Sequence, residues 1–175
     1  MIKFNLIISD QQLLIKNNNI KVKKRNMISI KLNKTDSSLD NYLNENSTDL
    51  LVLGVFLNEN TNLNGLNSND SKKIKKAISD DKFKGGKNER LFLYGDKNAK
   101  RLVVFGLGDK SKITSEQMRA QGANIYNYAN SRKISKISVS LKSFKRYNGD
   151  TLQPLMEGIF LGSYSFNEHK NPKDK

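Results

Sequence analysis

Cysteine and tryptophan are missing from all 175 residues, and the chain has one histidine and two prolines. Without cysteine there can be no disulfide, no thiolate metal site and no cysteine nucleophile. A reducing compartment suits such a chain, and the cytoplasm is the expected one. The single histidine, His169, stands among polar neighbours near the C-terminus. One imidazole cannot build a histidine-rich metal centre, and no partner is placed for it to activate a serine, so it reads as a surface residue. Long apolar runs are also lacking: none approaches the roughly 18 residues of a membrane span. Asp10, Gln11 and Gln12 interrupt the apolar block that an N-terminal signal peptide would need.

Acidic residues are scarce as well, 17 against 31 basic ones, for a net charge of +14. Such a field favours anionic partners and brings nucleic acid to the surface non-specifically. Yet 25 of the basic residues are Lys and only six are Arg, whereas specific phosphate and base recognition leans on the Arg fork. An excess of Lys with Asn has the look of drift in an AT-rich coding sequence, and solvated surface is the preferred reading over an anion-binding face.

What is present reads as one domain. Hydrophobic residues make up 36% of the chain, a modest share. Residues 1–26 hold six basic residues and one acidic one. They read as a basic extension, either a poorly ordered appendage or a start assigned too early with Met27 as the true one, rather than as a targeting signal. From Met27, alternation of Ile28, Ile30 and Leu32 predicts a strand. Asp49–Phe56 is a continuous β-rich run suited to a central strand covered on both faces. After an Asn-rich and Gly-rich turn, Asp70 or Ser71 is expected to cap a helix with Ile74, Ala77 and Ile78 inward and Lys72, Lys73, Lys75 and Lys76 solvated. Glu89–Tyr94 and Arg101–Phe105 predict a β-hairpin around Gly95–Lys100.

Thr114 with Gln117 forms a capping-box pair opening a second helix. Its inner face is Met118, Gly122, Ile125, Tyr126 and Ala129, with Gly122 expected to allow close approach to the sheet. Ile137–Leu141 alternates as a strand, and a last helix starts near Asp150 with Leu152, Leu155, Met156, Ile159 and Phe160 on one side. Strands interleaved with helices predict an α/β fold, a single layered domain with a mixed sheet flanked by helices.

The candidate motifs are weak. Gly106-Leu107-Gly108 lacks the third glycine of a dinucleotide fingerprint, since Ser111 stands there, and the helix begins several residues later. It reads as a structural turn. Lys84-Gly-Gly-Lys87 lacks the Lys-Ser or Lys-Thr of a phosphate loop. Asp80-Asp81 beside Lys82 and Lys84 is explained by ordinary salt bridging. Lys142, Phe144, Lys145, Arg146 and Tyr147 form a basic-aromatic cluster that could stack on single strands, but it equally suits a strand-to-helix connector.

Three stretches together resemble the amino-terminal domain of the leucyl (cytosol) aminopeptidase family. They are Asp49–Phe56; Phe83-Lys-Gly-Gly-Lys-Asn-Glu89 through Leu91–Tyr94, Lys100–Gly108 and Ile113–Glu116; and Met156-Glu-Gly-Ile-Phe-Leu-Gly-Ser-Tyr-Ser-Phe166. The last is similar to the family's Glu-Gly-x-x-Leu-Gly-x-Tyr-x-Phe helix. The resemblance implies a macro-domain-like fold over residues 27–170, with residues 171–175 beginning the link to a carboxy-terminal catalytic domain. In that family the second domain holds two divalent metal ions (zinc, manganese or magnesium) that activate a water to release N-terminal residues from peptides, and the enzyme assembles as a hexamer. None of those ligands maps onto this chain, so no catalytic, cofactor-binding or metal-binding residue is assigned to any position. The alternative is a stand-alone macro-like or basic domain that binds a nucleotide or nucleic acid. Against it, Gly54-Val-Phe-Leu57 replaces the Asn-rich turn of the fold's ADP-ribose-binding relatives.

Overall fold

In the computed structural model the described residues are 2–8, 28–34, 39–59, 63, 66–144 and 152–164. Six strands and four helices follow in the order β1 (Ile2–Ile8), β2 (Ile28–Lys34), α1 (Leu39–Glu45), β3 (Thr48–Phe56), α2 (Ser68–Asp80), β4 (Arg90–Tyr94), β5 (Ala99–Gly108), α3 (Ser115–Ser131), β6 (Lys136–Ser140) and α4 (Leu152–Ser163). The strands form one mixed sheet in the order β2-β1-β6-β3-β5-β4. All neighbours run parallel except the β4–β5 hairpin. The α/β expectation holds.

β3 lies inside the sheet because its side chains are apolar on both faces. Leu50, Val52 and Phe56 point into a core with Val103, Phe105 and Leu107 of β5 and the inner faces of α3 and α4. Leu51, Leu53 and Val55 point into a second core with Leu102 and Val104, under α1 and α2. The period-two alternation of β5 thus divides between two helical layers. Asp49 ties the strand starts together: its carboxylate takes the Lys100 ammonium at 2.8 Å and the Lys136 amide at 3.2 Å. Lys100, foremost, holds that carboxyl below the usual aspartate range.

The capping box of α3 is present, with the Thr114 hydroxyl accepting from the Gln117 amide and Gln117 Oε1 accepting from the Thr114 amide. For α2 the cap is corrected from Asp70 or Ser71 to Asn67, whose Oδ1 accepts from the Asp70 amide at 2.8 Å. Asp70 sits one turn inside, buried, and receives the Asn67 Nδ2 proton.

The reading of residues 1–26 as an appendage is corrected for Ile2–Ile8, which form β1 between β2 and β6. The apolar alternation of Ile2, Phe4, Leu6 and Ile8 is the signal, diluted by Lys3 and Asn5. Helix α1 was also not foreseen. Its seven residues are too few for a helical stripe, and Leu39, Tyr42 and Leu43 alone seat it.

Candidate functional site

The loop between α2 and β4 is built from glycine, lysine and one carboxylate. Gly85 has φ +79°, open to glycine at little cost, and Asn88 has φ +72°, which asparagine tolerates best after glycine. Glu89 reaches back and accepts the amide protons of Lys84 and Gly86, both at 2.9 Å. These two bonds hold its carboxyl below the usual glutamate range, against a smaller push upward from burial. The loop is then laced to the end of β5, with Gly108 N–H donating to the Gly85 carbonyl and Gly106 N–H to the Glu89 carbonyl, each at 2.9 Å. A Cβ on Gly106 would overlap the Gly86 carbonyl oxygen. Both glycine motifs therefore serve backbone-to-backbone contact. The amides an incoming phosphate would use are taken by Glu89.

A sign follows for pH. A carboxyl held low when folded stabilises the fold above its unfolded pKa, and that stabilisation is lost as pH falls through the folded value. Glu89→Gln is expected to flatten the acid limb of a stability-against-pH profile below about pH 5. Denaturant titrations at successive pH values measure this, and identical acid limbs would count against the loop's role.

Beside the loop, against the first half of α3, lies a cleft of about 220 Å³ lined by Lys87, Asn88, Leu107, Ile113, Gln117 and Gln121, among others. It is smaller than the roughly 300 Å³ at which small-molecule sites begin. Gln121 is 6% exposed, and its Oε1 finds no hydrogen-bond partner among the described residues. The cleft brings together no nucleophile and base. Among the described residues no three His, Asp or Glu side chains are grouped so as to hold a metal ion. The described residues therefore do not fit the two-metal centre of the resembled family.

The remaining sequence candidates are dispersed. Phe144 is 1% exposed, in the core with α3 and α4, so it cannot stack on a base; Lys145, Arg146 and Tyr147 lie outside the described residues. Lys72 and Lys76 stand on α2, over the opposite layer from Phe144. Asp80 pairs with Lys76 at 2.6 Å, and Asp81 is the C-cap of α2 rather than a loop carboxylate. His169 lies outside the described residues, and no helix among them is long and apolar enough to cross a membrane.

What the sequence reading missed is the junction of α3 and α4. Gly122 meets the Leu155 carbonyl of α4, not the sheet, and Gly158 meets the Arg119 carbonyl of α3. Glu157 completes the seam, accepting from Arg119 Nε at 2.7 Å. Glu157, Gly158 and Gly162 thus pack the two helices together, with the small residues one turn apart, while Leu161 between them is exposed. Spacing on α4 alone could have found it: Gly158 and Gly162 recur at i and i+4.

A sequence model of the cytosol aminopeptidase family, N-terminal domain, matches residues 52–173. The chain is similar to a probable cytosol aminopeptidase of Clostridium perfringens, with 30% identity over 129 residues, 72% of this chain and 26% of that protein. It is also similar to one of Sulfurihydrogenibium sp., with 27% identity over 154 residues, 83% of this chain and 29% of the relative. A mutant of tomato leucine aminopeptidase aligns with 22% identity and a TM-score of 0.49, over 68% of this chain and 26% of that one. The chain spans little more than a quarter of the length of the curated relatives it matches. Over most of its length it carries the N-terminal domain of the cytosol aminopeptidase family, and it belongs to that family.

Proposed function

We propose that this chain is the non-catalytic assembly domain of a leucyl aminopeptidase whose peptide-cleaving domain, with its two divalent metal ions, lies in a separate segment. The observation that carries the reading is the match to the family's N-terminal domain, from a chain that spans little more than a quarter of its relatives' length. The packing of Glu157, Gly158 and Gly162 of its best-marked motif into a helix seam supports it, since those residues are explained by architecture. The relatives' name, cytosol aminopeptidase, supports a cytoplasmic location and peptide substrates for that parent, and the family resemblance implies that the parent is a hexamer.

Two measurements test the proposal. The purified chain, supplied with manganese or zinc, is expected to release no leucine from a leucyl amide, and metal-dependent release would overturn the non-catalytic part. In the Clostridium perfringens relative, deleting the matching region is expected to lower the oligomer's mass on size exclusion. A deletion protein that keeps its full assembly would overturn the assembly part.

A further inference from the structure

β4 ends the sheet, with β5 as its one described neighbour. In an antiparallel ladder, residues that exchange both backbone bonds with the partner alternate with residues whose N–H and C=O point away. Glu89 and Gly95 bond across to Gly106 and Lys100, so Leu91 and Leu93 face β5 as well. The backbone groups of Arg90, Phe92 and Tyr94 therefore point outward, and no described residue takes them up. The same residues carry the strand's exposed side chains: Phe92 is 50% exposed and Tyr94 82%. Phe92 rests on Tyr128 of α3, ring centroids 4.8 Å apart. An open strand edge of this kind, with large apolar side chains and neither Pro nor Lys to blunt it, is a template for another strand.

We infer that β4 is a pairing edge for a second copy of this chain, joined antiparallel about a two-fold axis through Phe92. In this register Phe92 lies opposite Phe92 of the partner subunit, and Arg90 lies opposite Tyr94 of the partner subunit. All these residues face outward, so every outward N–H and C=O of the three meets its complement. Opposed side chains share a face: ring meets ring at the centre, and a guanidinium meets a phenol on either side. No like charges are opposed. The segment Arg90-Leu-Phe-Leu-Tyr94 is thus complementary to itself, as a two-fold contact requires, and it presents nothing that calls for an acidic foreign strand.

The inference deepens the assembly reading by naming a surface for it. In sedimentation of the 175-residue chain at rising concentration, the mass is expected to move from 19.9 kDa toward about twice that value. Phe92→Glu sets two carboxylates against each other and should hold the chain at monomer mass, with circular dichroism unchanged because Phe92 is half-exposed. Tyr94→Glu, facing Arg90 of the partner subunit, should keep the dimer. Register is read separately. The chain has no cysteine, and Cα atoms opposed in a bonded antiparallel pair lie about 5.5 Å apart, within disulfide reach. Under oxidation Phe92→Cys should therefore crosslink to a dimer, and Asn127→Cys on exposed α3 surface should not.

A chain monomeric at every concentration, a dimer indifferent to Phe92→Glu, or crosslinking without preference for position 92 would each overturn the pairing. A monomeric chain would leave the assembly reading to the deletion test. Pairing through β4, alongside a deletion protein that keeps its oligomer, would overturn the assembly role alone.

Discussion

Gly158→Val is expected to destabilise the domain by about 3 kcal/mol or more, lowering the thermal midpoint by roughly 6–12 °C for a chain of this size. The reason lies in what Gly158 touches. Its Cα faces the Arg119 carbonyl of α3, and even a Cβ there would overlap that oxygen and the carbon behind it. The obstacle is backbone in a hydrogen-bonded helix, which cannot swing aside as a side chain would. Gly122 sets the same condition from the other helix, against the Leu155 carbonyl. Relief requires α3 and α4 to separate, which opens the core that Ile125, Leu155 and Ile159 close. Thermal unfolding followed by circular dichroism measures this; a midpoint within a degree or two of the parent's would show that the helices do not meet as described. Gly95→Val at the β4–β5 turn is a poor comparison, since Gly95 also meets a backbone carbonyl. Lys75→Val on the exposed side of α2 is the suitable control.

Phe105→Ala is expected to cost about 3–5 kcal/mol, the range for removing a buried aromatic ring. Phe105 is 1% exposed in the middle of β5 and belongs to the larger core. The Arg90 guanidinium stands 5.4 Å from its ring centroid, so truncation removes that contact as well as leaving a cavity. Because β5 pairs with β3 on one side and β4 on the other, the loss should appear as a shifted denaturant midpoint with an unchanged slope. A shift below about 0.5 kcal/mol, the size typical of surface substitutions, would contradict the placement of Phe105.

The elements that the sequence announced are those in which local and tertiary signals agree. β3 reads as buried because no polar residue interrupts Leu50–Phe56, and helices indeed cover it on both faces. α3 carries its start signal in Thr114 and Gln117 and its inner face in an uninterrupted stripe. Disagreement came where two residues of the same chemistry competed. Asn67 and Asp70 are both good caps, and only the placement of Asp70 in the first turn, with its amide bonded to Asn67, decides between them. Gly122 was legible as a point of close approach but not its partner, because a stripe tells which face is inward and not what it meets. Phe144 looked like a stacking aromatic beside lysines, yet a single 3-10 turn carries it into the core. In the site region, the glycines were rightly read as structural. The use of Glu89 as their internal anion required a fold-back that no spacing rule encodes.

The position of β1 bears on how the chain is made. Lys3 pairs with Lys136 and Phe4 with Ile137, so β1 adjoins β6, the strand of the described sheet furthest from it along the chain. Until β6 exists, β1 can reach only β2, its parallel neighbour on the outer side, while β3, β5 and β4 can already assemble with α2 on their local contacts. Closing a loop of that length delays the pairing. Residues 2–8 therefore take their inner place in the sheet late, and until β6 is made β1 and β2 are a parallel pair that chaperones, or another nascent copy, can reach first.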